Sequence, residues 1–240
     1  MEVKKSEYSR NIRLFKGCKK ILKESELYKE TNQTRKMSLN IGKYSEQFIK
    51  LSQKKDYEKL YKVAMENMDY DFLLKDDSFF QFSCVLSNNK LEEGTIRYAY
   101  YENPRSYNTY EQFLEENEFE YSECGEELRF EYEQEIAEAR LKNSVTPIRY
   151  DYDFKLYEPI HHPISHIHIG HNNDVRIPLS KILTPAKFVN FVLRNAYSKQ
   201  WKAAFQNESF QDLCVSTKNS CYDVQDIFFQ KKEKDFLYMI

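Results

Sequence analysis

The stretches IRYDYD, residues 148–153, and SHIHIG, residues 165–170, decide the fold class of this chain. In both stretches aliphatic or aromatic residues alternate with charged residues or histidines. This period of two residues is typical of a β-strand that has one face on a hydrophobic core. Arg149 and Asp151 would then point away from the core. VRIPL, residues 175–179, follows after a short connection, so the three segments predict an antiparallel meander.

A hairpin is predicted upstream of this meander. SFFQFSCVL, residues 78–86, and TIRYAYYEN, residues 95–103, alternate in the same way, are rich in aromatic and β-branched residues, and are separated by the loop SNNKLEEG. We interpret residues 127–138 as a strand that runs into a helix. The hairpin register would place one set of side chains on a common face of the sheet: Phe80, Phe82, Cys84, Ile96, Tyr98 and Tyr100.

Helical patterns lie on both sides of the predicted sheet. Apolar residues recur with the 3.6-residue period over residues 5–75, which predicts two or three helices there. Residues 109–117, which contain YEQFLEEN, predict a short acidic helix. Thr184 and Pro185 are typical of a helix start, as N-cap and first helical residue, and the tail that follows is predicted to be mostly helical.

Together these elements predict an α+β fold, with an antiparallel β-sheet, an N-terminal helical layer and C-terminal helices. Neither an internal repeat nor a linker rich in Gly, Pro or Ser divides the chain, so one domain over residues 1–240 is expected. Its parts would be a helical layer over residues 1–76, the sheet with the histidine-rich segment over residues 77–182, and the C-terminal helices over residues 183–240. The helical layer would cover the sheet or, alternatively, bind a partner protein.

The charge balance excludes one class of function. Lysine and arginine total 36 and aspartate and glutamate 38, for a net charge of −2, so a globally basic coat for nucleic acid is excluded while a local basic groove is not. Hydrophobic residues make up 41% and charged residues 31%, which is ordinary for a globular protein and too apolar for general disorder.

Cysteine usage and hydropathy predict a cytoplasmic protein without membrane contact. The five cysteines contain no C-x-x-C pair, which favours neither a disulfide framework nor a cysteine zinc module and indicates a reducing compartment. The first residues, MEVKKSEYSRNIRLFKGCKK, lack the apolar core of a secretion signal, and no run approaches 18 apolar residues.

All five histidines lie between residues 161 and 171, a cluster typical of metal or acid–base sites. His166 and His168, two residues apart on a predicted strand, would project from one face. Gly170 would end that strand by permitting a turn or a close ligand approach. His171 could then fold back to the same site.

Charged neighbours could complete this site. Arg176 would supply a fixed cation for a phosphate or a carboxylate. Asp151 and Asp153 are the nearest carboxylates that could orient an imidazole or complete a metal shell. His162 precedes Pro163 in a conformationally restricted segment beside them.

Three interpretations of the histidines remain open. In the first, which the residues favour, His166 and His168 act without a metal as general acid and base on a phosphodiester, and Arg176 stabilises the developing charge. In the second, His166 and His168 bind zinc or another divalent metal together with His171, His162 or an aspartate, and one coordination position stays open for water. In the third, they fill a polar strand face without catalysis.

The segments IRYDYD, HHPISHIHIG, RIPL and LTPAKFVNFVLRNAY resemble an uncharacterised bacterial family of unknown function, with the core R-Y-D-Y-D, H-P-x-S-H-x-H-x-G, R-I-P and a T/S-P-x-x-F helix. The resemblance covers residues 148–197 and, more weakly, residues 73–83. Such proteins look like those kept near mobile-element defence or toxin modules. The residues that the resemblance marks are Arg149, Asp151, Asp153, His162, Ser165, His166, His168, Gly170 and Arg176.

The sequence-based hypothesis is therefore a cytoplasmic bacterial toxin or anti-phage effector that cleaves RNA or a nucleotide phosphodiester without a cofactor. The alternatives are a divalent-metal-dependent hydrolase and a non-enzymatic component of a defence module that binds a protein encoded nearby. The predicted catalytic residues are His166, His168, His162, Asp151 and Arg176, and the predicted substrate-binding residues are Arg149, Ser165, Gly170 and His171.

Overall fold

The structure is a computed structural model that describes residue 15 and residues 17–32, 44–87 and 90–237. Much of the region predicted to form the first helices therefore lies outside the described residues. Within the described ranges, no helix combines the length and the apolar character needed to cross a membrane.

An antiparallel sheet of seven strands forms the centre of the described structure, which confirms the predicted α+β class. The strands of the described residues are β1 (Tyr28–Thr31), β2 (Phe72–Leu74), β3 (Phe79–Ser87), β4 (Lys90–Tyr101), β5 (Arg105–Ser106), β6 (Arg140–Leu141), β7 (Ile148–Asp153), β8 (Ser165–Ile169), β9 (Ile177–Pro178), β10 (Lys181–Ile182) and β11 (Tyr222–Asp223). The sheet has the order β1-β2-β3-β4-β7-β8-β9, while β5 pairs with β6 and β10 with β11.

Helices precede, interrupt and follow this sheet. The helices of the described residues are α1 (residues 17–24), α2 (Glu46–Ser52), α3 (Tyr57–Glu66), α4 (Tyr110–Glu116), α5 (Tyr121–Cys124), α6 (Arg129–Glu138), α7 (Pro185–Ala196), α8 (Ser198–Ala204), α9 (Glu208–Asn219), α10 (Lys231–Leu237) and a 3₁₀ turn at Asp226–Phe228. The acidic helix and the helix after Thr184 are thus confirmed, as is the mostly helical tail.

One face of the sheet carries the main hydrophobic core. Tyr98, Tyr150 and Ile167 are neighbours across β4, β7 and β8, and all three are buried. Helix α7 packs on this face, where the ring centroid of Phe188 lies 5.8 Å from that of Tyr98. Helix α1 contributes Leu22 to the same cluster. The side-chain alternation predicted for β3, β4, β7 and β8 is confirmed by this register.

The opposite face is polar over β7 and β8 and is partly covered by α2 and α3. These two helices pack a second, smaller cluster against the sheet, in which Phe48 of α2 contacts Tyr101 of β4 with ring centroids 5.7 Å apart. Helix α2 begins at Glu46 because the Ser45 side chain accepts a hydrogen bond from the Phe48 amide at 3.1 Å. A cavity therefore remains between α2 and the polar strand face.

Between β4 and β7 the chain forms a small helical insertion, residues 102–147. Its apolar cluster consists of Tyr110, Phe113, Leu114 and Tyr132. The strand predicted at the start of residues 127–138 is wrong, because this segment is helical from Arg129. Tyr132 is buried in the cluster while Phe130 is 66% exposed. The two side chains therefore lie on different faces of a helix, whereas in a strand they would share one face.

Two further predictions on the sheet need correction. The hairpin loop is shorter than SNNKLEEG, since β3 extends to Ser87, β4 begins at Lys90, and these two residues pair. Strands β1 and β2, both within the region predicted as a purely helical layer, extend the sheet beyond β3. Each is too short for its alternation to be read from the sequence, and all three residues of β2 are buried.

Candidate functional site

The strand register brings a row of polar side chains onto the face opposite the main core. Arg97 of β4 lies opposite Asp151 of β7, and Asp151 lies opposite His166 of β8. Arg149 and His168 form the neighbouring cross-strand pair. Opposed residues of antiparallel strands have Cβ atoms about 4.5–5.5 Å apart, so these side chains are close enough to interact.

The two strand histidines are in direct contact. Nε2 of His166 lies 3.0 Å from Nε2 of His168, and both residues are buried. Nδ1 of His166 lies 2.7 Å from the carbonyl oxygen of Pro163. Because a carbonyl oxygen only accepts hydrogen bonds, Nδ1 carries the hydrogen of a neutral His166, and its Nε2 presents a lone pair.

Asp151 links the histidines to two arginines. Its Oδ2 lies 3.3 Å from Nε2 of His168 and accepts a hydrogen bond of 2.8 Å from Nε of Arg149. Its Oδ1 is buried without a hydrogen-bond partner among the described residues, and Nε of Arg97 lies 3.9 Å away. Burial by itself would raise the pKa of Asp151, but the hydrogen bond with His168 and the charges of both arginines outweigh it, so the pKa is lowered.

Burial also affects the histidine pKa values. Desolvation lowers the pKa of His166 to about 4, although the charge of Asp151 acts in the opposite direction. The pKa of His162 is lowered as well, first by desolvation and then by the charge of Arg176. His166 is therefore neutral at pH 7 and cannot be the proton donor there, whereas the metal-free hypothesis needs one imidazole that is protonated near neutrality.

A cavity of about 580 Å³ opens onto this polar face. Helix α2 and its flanks form one wall, with Phe48 and Ile49 among the lining residues. His166 does not line the cavity and lies behind His168, which does. The polar side chains that converge on the cavity include Arg97, Arg149, Asp151, His162, His168 and Arg176.

The comparison with protein families identifies the chain at the level of a family. The model of an uncharacterized conserved protein family, DUF2290, matches residues 21–237. The chain belongs to this family. The prediction of an uncharacterised family is thereby confirmed, and every predicted site residue of this DUF2290 chain lies inside the matched region. Searches of the curated proteins and of the solved structures gave no significant match.

Two other predicted residues line the cavity beside the trio of Asp151, His166 and His168. His162 stands edge-on to His166, with ring centroids 4.9 Å apart, and its Nδ1 is buried without a hydrogen-bond partner in the described structure. Arg176 precedes β9 and lines the cavity, and its Nε likewise has no hydrogen-bond partner among the described residues. Both side chains therefore have unused hydrogen-bonding capacity beside the cavity.

Gly170 and His171 lie at the end of β8, as predicted. Gly170 has a φ of 92°, which favours glycine, and a Cβ there would collide with the side chain of Asn173. His171 does not fold back onto the trio. Its Nε2 lies 2.6 Å from the carbonyl oxygen of Lys54, and its ring packs edge-on against Tyr57, so it joins the strand end to the α2–α3 connection at the cavity.

Ser165 lies on the core side of β8, away from the cavity. Its hydroxyl donates to the carbonyl oxygen of Lys181 at 2.7 Å and lies 3.1 Å from the Tyr150 hydroxyl. A substrate in the cavity would not touch it. The structure thus gives Ser165 a packing role in place of the predicted substrate contact.

Arg97 was not among the predicted site residues. It lies between Asp151 and Asp153, with a terminal nitrogen 3.4 Å from Oδ2 of Asp153. Its side chain is 56% exposed and lines the cavity, so it adds a solvent-accessible cation there. The sequence signal is the alternation in TIRYAYY, which places Arg97 on the other face of the strand from the core-facing Ile96 and Tyr98.

Proposed function

We propose that this cavity binds and hydrolyses a phosphate ester, with RNA or a nucleotide as the substrate class. The observation that carries the proposal is the convergence of three arginines on the cavity that is lined by Asp151 and His168, two members of the trio of Asp151, His166 and His168. A cavity of this volume is in the range of small-molecule sites, which are about 300–1,000 Å³. This volume suits a nucleotide or the end of an RNA strand.

The arginines supply the phosphate-binding part of the proposed site. A guanidinium group presents a planar set of donors that matches a phosphate group and stays charged at every relevant pH. Arg149 is already held by Asp151, and Arg97 lies near two carboxylates. Arg176 is not bound to a buried carboxylate: its hydrogen bond among the described residues, 3.3 Å long, goes to the carbonyl oxygen of Asp174, and the carboxylate of Asp174, 3.8 Å away, is fully exposed. We assign the principal phosphate contact to Arg176.

The trio supplies the activating part. It activates a water molecule for attack on phosphorus, so that a new P–O bond forms as the P–O bond to the leaving oxygen breaks. The proton of the water passes to solvent, and solvent in the open cavity also returns a proton to the leaving oxygen, because the lowered pKa of His162 leaves that imidazole, like His166, neutral at pH 7. Since His166 lies behind His168, we assign it to positioning His168 and not to contact with the substrate.

The biological setting remains a prediction. A role as a bacterial toxin or anti-phage effector follows from the family resemblance alone, and the cytoplasmic location follows from the spacing of the five cysteines, which favours no disulfide framework. A neighbouring protein partner is likewise a prediction. The proposed chemistry depends on none of these.

The proposal predicts that purified protein hydrolyses a phosphodiester from a panel of RNA oligonucleotides, nucleotides and a chromogenic diester, assayed with divalent cations present. Arg176→Ala should lower kcat/KM by about 100-fold, the usual effect of removing one donor from a charge-stabilising site. Arg140→Ala is the control, because Arg140 is exposed on β6 and does not line the cavity. Failure to cleave every ester, or equal activity of the two variants, would overturn the proposal.

A further inference from the structure

The trio on the polar strand face has the composition of a metal site. We infer that Asp151, His166 and His168 bind one divalent cation, and that this cation activates the water in the proposed hydrolysis, on which its chemical role rests. One ligand atom from each residue lies within 4.8 Å of the others, and all three residues are buried. The arrangement is two imidazoles and one carboxylate, donated from two adjacent strands.

The spacing of the imidazoles fits a shared cation. Their Nε2 atoms are 3.0 Å apart. A transition-metal ion binds each imidazole nitrogen at about 2.0–2.1 Å, and at that length the two bonds would enclose an angle of about 90° at the ion. The approach of two ring nitrogens requires either a proton or a cation between their lone pairs. The backbone already sets this spacing, because the two residues project from the same face of β8.

The outer contacts of His166 are those of a metal ligand. A ligating histidine usually donates its other ring N–H to a carboxylate or a backbone carbonyl, which fixes the ring and directs the remaining lone pair at the ion. Nδ1 of His166 makes this contact with the carbonyl oxygen of Pro163 at 2.7 Å. The preference for an extended conformation before proline and the ring of Pro163 itself restrict the segment that carries this oxygen.

Asp151 is held in the same manner. Arg149 fixes Oδ2 through a hydrogen bond of 2.8 Å, while Oδ1 is buried without a hydrogen-bond partner in the described part of the chain. A buried carboxylate oxygen without a hydrogen bond is costly, since Nε of Arg97 at 3.9 Å is too far to donate one, and coordination of a cation would satisfy it. Arg149 therefore orients the carboxylate through Oδ2 and leaves Oδ1 available to a cation.

The site also has a route for water and substrate. Asp151 and His168 line the cavity, whereas His166 closes the inner side. The coordination positions that the trio leaves unfilled would therefore face the cavity, beside Arg176. Imidazole and carboxylate ligands without thiolate suit Zn²⁺ and Mn²⁺. Such an ion lowers the pKa of a bound water and so generates the nucleophile near neutral pH.

The test is calorimetric titration of chelator-treated full-length protein with Zn²⁺ and, separately, with Mn²⁺. We expect one ion per chain and a rise in Tm on binding. His168→Ala and the nearly isosteric Asp151→Asn should each weaken binding by more than about 100-fold, which exceeds the 10–100-fold effect of losing an outer contact. His161→Ala is the matched control, because it removes an exposed imidazole from the same segment and should leave the affinity unchanged.

The outcomes separate this inference from the proposed reaction. If neither ion binds, or if His161→Ala weakens binding as much as His168→Ala, the metal site is wrong. Asp151→Asn keeps the size of the side chain, so a folded variant of unchanged affinity would also overturn it, with folding judged by circular dichroism. Binding at one site without cleavage of any ester supports the metal site and refutes the hydrolase. Cleavage that persists in metal-free protein supports the hydrolase and refutes the role of the cation in activating the water, while the titration alone decides whether the ion binds.

Discussion

His166 is a buried imidazole whose environment opposes protonation. It has no exposed surface, its Nδ1 hydrogen is bonded to a carbonyl oxygen, and its Nε2 faces a second imidazole. Desolvation dominates over the attraction of Asp151, so the pKa falls from 6.5 to about 4. The unfolded chain would therefore bind a proton on this residue at a pH where the folded protein does not.

This difference predicts a pH-dependent stability for the metal-free protein. Between pH 6.5 and 4 the unfolded state binds more protons at His166, so stability is fully present above pH 6.5 and is lost as the pH falls toward 4. The loss due to His166 should be about 2–3 kcal/mol between pH 7 and 4.5. Urea unfolding at several pH values, in the presence of a chelator, measures it.

The variant His166→Gln should be less stable at pH 7 and should lose less stability on acidification, since it removes the titrating group. A shallow slope remains, because the pKa of His162 is also lowered. His161→Ala should keep the full slope of the original protein. An unchanged slope in His166→Gln would show that His166 does not titrate in this range.

At the scale of residues, the sequence predicted which side chains meet but not how deeply they lie. Alternation along two strands placed His166, His168 and Asp151 on polar faces. It could not show that His166 is fully buried while His168 lines the cavity, because burial depends on what packs over a strand. Arg97 was missed because its contact with Asp151 needs the pairing of β4 with β7 across the whole insertion.

At the scale of elements, α7 shows a helix whose start is encoded locally. Thr184 has an extended backbone, accepts a hydrogen bond from the Lys187 amide and precedes Pro185 at the first helical position. Its hydroxyl also lies 3.1 Å from the Ser220 hydroxyl, after α9. The cap thus fixes both the beginning of α7 and its contact with the next layer of helices.

Removal of this hydroxyl should destabilise the protein. Thr184→Val keeps the shape of the side chain but leaves the first-turn amides without their cap, for an expected cost of about 1–2 kcal/mol in unfolding free energy. Thr184→Ser retains the oxygen and should cost less than half as much. Equilibrium urea unfolding of both variants checks this. A larger loss in Thr184→Ser than in Thr184→Val would show that the methyl group, and not the cap, matters.

Elements that depend on distant partners were predicted less well. The residues ELRFEYEQ alternate like a strand, yet the segment from Arg129 to Glu138 is a helix, because Tyr132 packs against Tyr110 and Phe113 within the insertion. Strands β1 and β2 exist because β2 pairs with β3, not because of their own pattern. Local patterns predicted elements well where burial follows one face of a long segment.

At the scale of the whole molecule, the sheet separates two environments. Its core face joins α1, α7 and the later helices into one hydrophobic cluster, while its polar face carries the trio and the cavity. Phe188 stands at the centre of the core face, fully buried against Phe80, Phe82 and Tyr98. The polar site therefore rests on strands whose other side is closely packed, which restricts the movement of its backbone.

This arrangement predicts cooperative unfolding of the described chain as one domain. Trp201, the single tryptophan, packs at the edge of the main cluster, so its fluorescence reports the core, while circular dichroism reports all helices. In urea the two signals should change together.

Phe188→Ala should lower the unfolding free energy by about 3–5 kcal/mol and shift both signals equally. Phe236→Ala, at a position that is 73% exposed, should change it by less than about 0.5 kcal/mol. A part of the circular dichroism transition that does not move with Phe188→Ala would instead show that the insertion, with its own apolar cluster, unfolds as a separate unit.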